Sequence, residues 1–404
     1  MGYKVVKASA GTGKTYRLSI EYMNMLLQGK APEEIVVITF TRKATAEIRA
    51  KIFSNIEKLM ERGTAESDMI VESLVKIGNM SEKEEIFKII SRRRAEMLRR
   101  KDKIKITTID SFINSIFSKI AAPASGLYSY EIIDDTLNRE YLMNTLEKIV
   151  ENRAYFSQFR EFLEKYTERD IEKYLEWIGK ILDFRWFFSI IENEPELKAV
   201  SESEISAEFE KFKERFMSFE EVSERESSKI FMAGQSEIFG KKLEEMSSNK
   251  KKKFITVDRF WKKEVFKKNP ESGGLAEAMY GELKKKLADY IFNKEVYPLY
   301  NELKSIEKVV SEVYDNIKFK ERKFTHSDIA YYTFDYFSRG EGEGKITAAD
   351  LHFYEAIDSS VRAILIDEFQ DTSVIQWKIV YPIVKNSETA VCVGDEKQSI
   401  YSFR

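Results

Sequence analysis

Apolar residues recur along this chain in two rhythms, and the change of rhythm divides it. Lys4 to Lys7 is a short β-favouring run, followed by a loop of small residues. Tyr16 to Leu27 then carries Leu18, Tyr22, Met25 and Leu26 at helical spacing, and this helix stops at Gly29 with Pro32 just beyond. Ile35 to Phe40 is mostly apolar, the pattern of a parallel strand buried on both faces. Lys43 to Met60 reads as helix, Ile104 to Thr108 as strand, and Ser111 to Ile120 as helix again. Near the far end, Ala363 to Ile366 and Ala390 to Val393 are short apolar strands, with Asp367 and Asp395 just past their carboxyl ends. Strands alternating with helices predict an α/β fold with a parallel, doubly wound sheet. Ligands of such sheets bind beyond the carboxyl ends of the strands, where these polar clusters fall.

Between 131 and 321 the alternation disappears. Charged, helix-favouring segments such as Glu204 to Lys229 and Glu282 to Lys294 dominate, interleaved with Phe, Leu and Ile. The pattern predicts a mostly helical insertion at 131–321 within an α/β domain formed by 1–130 and 322–404. No internal repeat is present, and Lys250 to Lys253 is the one low-complexity spot.

Composition narrows the function classes. A chain of 404 residues with 43% hydrophobic content has enough apolar material for real cores. No apolar run approaches the roughly 18 residues of a membrane span, and Met1 to Lys7 is too short for the apolar part of a secretion leader. Cys392 is the single cysteine, which excludes a disulfide scaffold and fits a reducing cytoplasm. Two histidines, His326 and His352, leave little room for a zinc site or a histidine-based triad. Sixty-six basic against sixty-eight acidic residues give a net charge of -2, so no global field draws the chain onto nucleic acid. A locally basic groove with aromatic platforms would still suffice for a single strand.

The chemistry lies in two places. Ala8-Ser9-Ala10-Gly11-Thr12-Gly13-Lys14-Thr15 sits between a strand and a helix. Its small residues let backbone N–H groups close around a phosphate, Lys14 reaches the β- and γ-phosphates, and the Thr15 hydroxyl can ligate Mg²⁺. A bare tight turn is the plain alternative. Ile366-Asp367-Glu368 places two acids past a buried strand: one carboxylate can hold Mg²⁺ and its neighbour can orient an attacking water. The plain alternative there is a helix N-cap.

Longer stretches carry a resemblance. Asp367-Glu368-Phe369-Gln370-Asp371-Thr372-Ser373 with Gln376 resembles motif II of UvrD/Rep-type superfamily 1 DNA helicases. Gly394 to Arg404 resembles their motif III, Ile38 to Glu47 their motif Ia, and Thr107 to Phe112 their motif Ib. Phe324 to Ile329, centred on Asp328, is a looser match to the segment re-entering the first motor domain. The wording of the phosphate loop leans toward RecB and AddA.

The resemblance implies a RecA-like, P-loop ATP-binding domain interrupted by a 1B-like insertion, using ATP and Mg²⁺. It assigns phosphate binding to the loop and to Lys14 and Thr15, the metal to Thr15 and Asp367, and water activation to Glu368. Gln398 would sense the γ-phosphate. Phe40, Tyr401 and Phe403 would lie along single-stranded DNA, with core burial as the alternative for each ring. Thr41, Thr108 and Ser111 would touch DNA phosphates, with backbone capping as their alternative. The other implied partners are a duplex junction, a nuclease partner subunit and a second RecA-like motor domain.

Several departures bear on this. No Gln precedes the phosphate loop to read adenine, and Tyr16 stands where relatives often have Arg, although its ring could stack on a base. Asp110 stands where many relatives have His. The family continues into a second motor domain that is not in this sequence, so the chain is expected to be a fragment with weak or no activity alone. The rival readings are a helicase-like partner subunit that only binds DNA, and an unrelated phosphate-loop enzyme such as a small-molecule kinase. The first should have lost Lys14, Glu368 or Gln398, and the second leaves Gly394 to Arg404 unexplained. Finally, Lys250 to Lys268 holds nine basic residues against Asp258 and Glu264, with Phe254, Phe260, Trp261 and Phe266 between them. It is a candidate DNA-backbone contact; the alternative is a solvated helix whose rings face a core.

Overall fold

The computed structural model describes residues 2–7, 13–78, 82–166, 170–190, 200–232, 235–338 and 361–395. Counting helices of eight residues or more, the chain begins β1 (Gly2–Lys7), α1 (Lys14–Leu27), β2 (Ile35–Thr39), α2 (Arg42–Met60), α3 (Ala65–Gly78), α4 (Lys83–Arg99), β3 (Lys105–Thr108) and α5 (Ile109–Ile116). It continues with β4 (Glu131–Ile132), α6 (Asp135–Glu151), α7 (Arg153–Tyr166), α8 (Ile171–Ile190), α9 (Glu202–Met217), α10 (Ser248–Thr256), α11 (Pro270–Ile291) and α12 (Tyr297–Glu321). It closes with β5 (Lys323–Phe324), α13 (His326–Ser338), β6 (Ala363–Ile366), α14 (Val374–Asn386) and β7 (Thr389–Gly394).

Five strands form one sheet in the order β1-β7-β6-β2-β3, and every neighbouring pair is parallel. The alternation of side chains sends successive residues to opposite faces. Ile35 and Val37 of β2, with Ala363 and Leu365 of β6, enter a core built with α1, α2, α3 and α4. Val36, Ile38, Ile364 and Ile366 enter a second core with α5, α13 and α14. Both faces are covered, which is why all five residues of β2 are buried and its sequence reads as a continuous apolar run.

Helix starts are fixed locally. Gly13 caps α1 at φ 79°, a left-handed conformation that suits glycine. Thr41 caps α2 by accepting the Ala44 N–H, and Thr108 caps α5 by accepting that of Ser111. Helices α3 and α4 fill an interval to which the hydrophobic pattern assigned no element. Their stripes (Ile70, Val71, Leu74; Ile86, Ile90, Met97) are buried in the first core and could have revealed them.

Two compact units emerge. One comprises 1–152, 170–190 and 310–404, the other 153–169 and 191–309. Helices α6 and α8 and the end of α12, which the sequence pattern assigns to the insertion, therefore group with the sheet. An ionic cluster links these helices to α13. Arg185 of α8 pairs with Asp315 of α12 at 2.8 Å and Asp328 of α13 at 3.0 Å, and Lys318 pairs with Asp328 at 3.1 Å. Asn138 of α6 accepts from Lys318 and Tyr314.

The second unit is built on rings. Phe209, Phe212, Phe216, Phe254, Phe260, Trp261, Phe266 and Tyr280 form one buried cluster. The Tyr280 hydroxyl donates to the Phe254 carbonyl. The four rings of the basic segment 250–268 belong to this core. Lys250 pairs with Glu237 at 2.8 Å, Lys252 with Glu295 at 2.9 Å, and Arg259 with Glu277 at 3.5 Å. Lys251 is buried, with its ammonium over the Tyr290 ring. Lys262 donates to the Ser228 carbonyl. Three of the nine basic residues thus face carboxylates, while Lys253, Lys263, Lys267 and Lys268 are exposed.

Candidate nucleotide and nucleic-acid site

The register of the sheet brings the carboxyl ends of all five strands to one edge. Lys7 lies beside Gly394, Ile366 beside Cys392 and Ile38, and Thr39 beside Thr108. Whatever follows each strand is delivered to that edge: Lys14 at the start of α1, Asp395 after β7, Asp367 after β6, Thr41 after β2 and α5 after β3. β7 is interposed between β1 and β6, so the phosphate-loop strand and the acid-bearing strand are not neighbours.

Across this edge Lys14 Nζ donates to Glu368 Oε2 at 3.0 Å and to Oε1 at 3.3 Å. Glu368 is held in the left-handed region at φ 48°, a strained conformation for a residue with a Cβ. Gln370 grips it: Nε2 donates to Glu368 Oε2 at 2.7 Å, while Oε1 accepts the Asp395 N–H at 3.1 Å. Gln370 thereby ties the acid loop to the end of β7. Gly394 makes room for this, because a Cβ there would come within 2.6 Å of Gln370 Oε1 and 3.4 Å of the Phe369 nitrogen. Gln370 falls within motif II, yet sequence reasoning gave it no role; its two-residue spacing from Glu368 was the available signal.

Asp367 is anchored by its backbone N–H, which donates to the Ile38 carbonyl at 2.9 Å. Its Oδ1 is buried and has no hydrogen-bond partner among the described residues. Burial, then the neighbouring Glu368 charge, pushes its carboxyl up to about 6. A buried carboxylate oxygen without a donor, beside a second acid, suits a hard cation. Among the described residues no three His, Cys, Asp or Glu side chains cluster. The donor set thus fits Mg²⁺, which commonly takes one or two protein oxygens and completes its shell with water and phosphate. Thr15, half-buried in the first turn of α1, is the other candidate ligand.

The remaining candidates divide. Ala8, Ser9, Ala10, Gly11 and Thr12, with Gln398, Tyr401 and Phe403, lie outside the described residues. Tyr16 packs against the first core, its hydroxyl within 3.0 Å of Ser73 Oγ on α3, so the ring serves the α1–α3 contact. Phe40 is half-buried where β2 meets α2. That junction is stiffened by Thr39 Oγ1, which lies 2.6 Å from Thr45 Oγ1 and donates to the Thr41 carbonyl at 3.1 Å. Thr41 and Thr108 use their hydroxyl oxygens as caps, and Thr108 donates its hydrogen to Ser111 Oγ at 2.8 Å. Ser111 is exposed and ends this relay, so its own O–H can donate outward.

Residues 1–404 match the UvrD/REP helicase N-terminal domain. The chain belongs to this family. It is 26% identical to an ATP-dependent helicase/nuclease protein of Clostridioides difficile, over 99% of the chain and 33% of that protein. It is 24% identical to RecB of the RecBCD enzyme of Buchnera aphidicola, over 100% of the chain and 34% of that protein. A stretch covering 33% of the chain is 30% identical to Escherichia coli RecB, 12% of which it spans. This UvrD/Rep-family chain spans about a third of the length of such full-coverage relatives. Among its described residues no helix is long and apolar enough to cross a membrane.

Proposed function

We propose that this chain is the ATP-binding half of a DNA helicase or translocase motor that tracks along single-stranded DNA in repair or recombination. The observation that carries the reading is the Lys14–Glu368 contact at the carboxyl edge of the sheet, beside the Asp367 oxygen that has no partner among the described residues.

Lys14 would bind the β- and γ-phosphates, exchanging Glu368 for phosphate oxygens of higher charge. Glu368, released from the ammonium but still held by Gln370, would orient the attacking water. Asp367 and Thr15 would hold Mg²⁺, and Gln398 would read the γ-phosphate. Bound Mg²⁺–ATP supplies the phosphoryl group and the charge that this edge is arranged to receive. Phe40, Tyr401 and Phe403 would lie along the strand, and Thr41, Thr108 and Ser111 against its phosphates. Because relatives are named as helicase/nuclease subunits, a nuclease-bearing partner, a second motor domain and a duplex junction belong to the proposal. A cytoplasmic setting does too.

A protein that only binds DNA would have no use for an acid beside the phosphate-loop lysine. Lys14→Ala should abolish most Mg²⁺–ATP affinity in calorimetry. Glu368→Gln should keep binding yet lose about 10²–10⁴-fold in hydrolysis, the usual range for removing an acid–base group. Undiminished affinity in the first variant, or undiminished turnover in the second, would remove the assignment.

A further inference from the structure

Helix α14 starts three residues after the 3₁₀ turn Phe369–Asp371 that follows Glu368, and its first turn is tied to the first turn of α5. Ser373 caps α14 through a reciprocal box: Ser373 Oγ accepts the Gln376 N–H at 3.3 Å, and Gln376 Oε1 accepts the Ser373 N–H at 3.0 Å. That box uses only the oxygen of the Gln376 amide. The nitrogen donates to Asp110 Oδ1 at 2.9 Å, across to α5. Asp110 stands between Thr108 and Ser111, the capping pair at the end of β3. The other end of the path is equally tight: Gln370 binds Glu368, and Phe369 packs edge-on against Trp377 with ring centroids 5.0 Å apart.

We infer that the Asp110–Gln376 hydrogen bond couples the nucleotide side of this edge to the DNA side, making Gln376 and Asp110 positioning residues. The inference rests on the function proposed above and adds the element through which its two ligands feel each other. The chemistry specifies the pair. Glutamate at 376 would preserve the capping box, since a carboxylate accepts the Ser373 N–H equally well, but it would set one carboxylate against another at Asp110. Only an amide can cap α14 and donate to Asp110 together.

This permits a test by exchange of partners. The quantity is the factor by which a saturating non-hydrolysable ATP analogue with Mg²⁺ changes the affinity of the chain for a fluorescent oligothymidylate. By linkage the oligonucleotide must change the analogue's affinity by the same factor, which checks the measurement internally. The parent is expected to show at least about fivefold coupling, the low end of typical allosteric effects. Gln376→Glu should bring the factor to within about twofold of unity while the melting temperature stays near the parent's, because the cap survives. Asp110→Asn should retain coupling, since an amide oxygen still accepts. Gln376→Glu with Asp110→Asn should restore it, the asparagine nitrogen now donating to the new carboxylate. If Gln376→Glu does not fold, Asp110→Ala reads the same loss.

Coupling unchanged in Gln376→Glu or in Asp110→Ala, or unrestored in the double variant, overturns the inference. So does a parent that binds both ligands with no mutual effect. A parent that binds no nucleotide or no oligonucleotide instead overturns the functional reading itself.

Discussion

Asp367 shows what a ligand site costs a folded chain before its ligand arrives. Its carboxyl, pushed up to about 6 first by burial and then by Glu368, keeps its proton more readily when folded than when unfolded. The folded state therefore suffers no penalty at pH values below the ordinary carboxylate range. The penalty grows as pH rises from about 4 to about 6 and is complete above that. In metal-free buffer with a chelator, Asp367→Asn should stabilise the chain at pH 7.5 by on the order of 1–3 kcal/mol. The gain should fade toward pH 4, as denaturant unfolding at several pH values would show. A variant no more stable than the parent at pH 7.5 would mean that the site relieves this carboxylate without a cation. Sequence spacing located Asp367 and Glu368 but could not supply their inequality. One is a backbone-anchored acid with a buried oxygen and the other a strained residue gripped by Lys14 and Gln370.

At the scale of elements, α10 and the chain after it show what composition leaves open. Nine basic residues between 250 and 268 read as a phosphate-binding stripe, and three of them, Lys250, Lys252 and Arg259, have Glu237, Glu295 and Glu277 as partners. Each phosphate contact contributes about 0.7 to the log-affinity versus log-salt slope on single strands. Replacing Lys250 and Lys252 with Ser should therefore leave that slope where it was, because both ammonium groups are already matched. A slope flattened by about one contact per lysine would place both lysines on the DNA backbone. Two helix caps, by contrast, were legible: Thr41 and Thr108 cap α2 and α5, the alternative their residue type offered. A cap is a contact over three residues, and local sequence carries it.

For the whole molecule, the ions around Arg185 tie α8 and the end of α12 to α13. Arg185 is 2% exposed and also lies 3.8 Å from the centre of the Tyr331 ring. Removing one member of such a group leaves its partners charged and dry, at a cost of about 3–5 kcal/mol. Arg185→Ala should lose about that much in urea unfolding, and the loss should appear in the unit containing the sheet. A cost below about 1 kcal/mol would mean that Asp315 and Asp328 reach water once the guanidinium is gone. The insertion boundaries at 131 and 321 followed the loss of strand–helix alternation. The compact units do not follow those boundaries, and α6 and α8 fall on the side of the sheet.

The amino-acid order by itself determined the class of fold and the ends of the strands at which chemistry would gather. Buried parallel strands, amphipathic helices and a phosphate loop are all written over a few consecutive residues. It also named Lys14 and Glu368, although they are 354 positions apart. Only the tertiary structure decided that β7 lies between β1 and β6, that Gln370 spans from Glu368 to the Asp395 backbone, and that Gln376 reaches Asp110. Those facts depend on strand order and register. A linear pattern records that a residue is buried or polar, whereas its partner is chosen by which distant segment the packed sheet brings within about 3 Å of it.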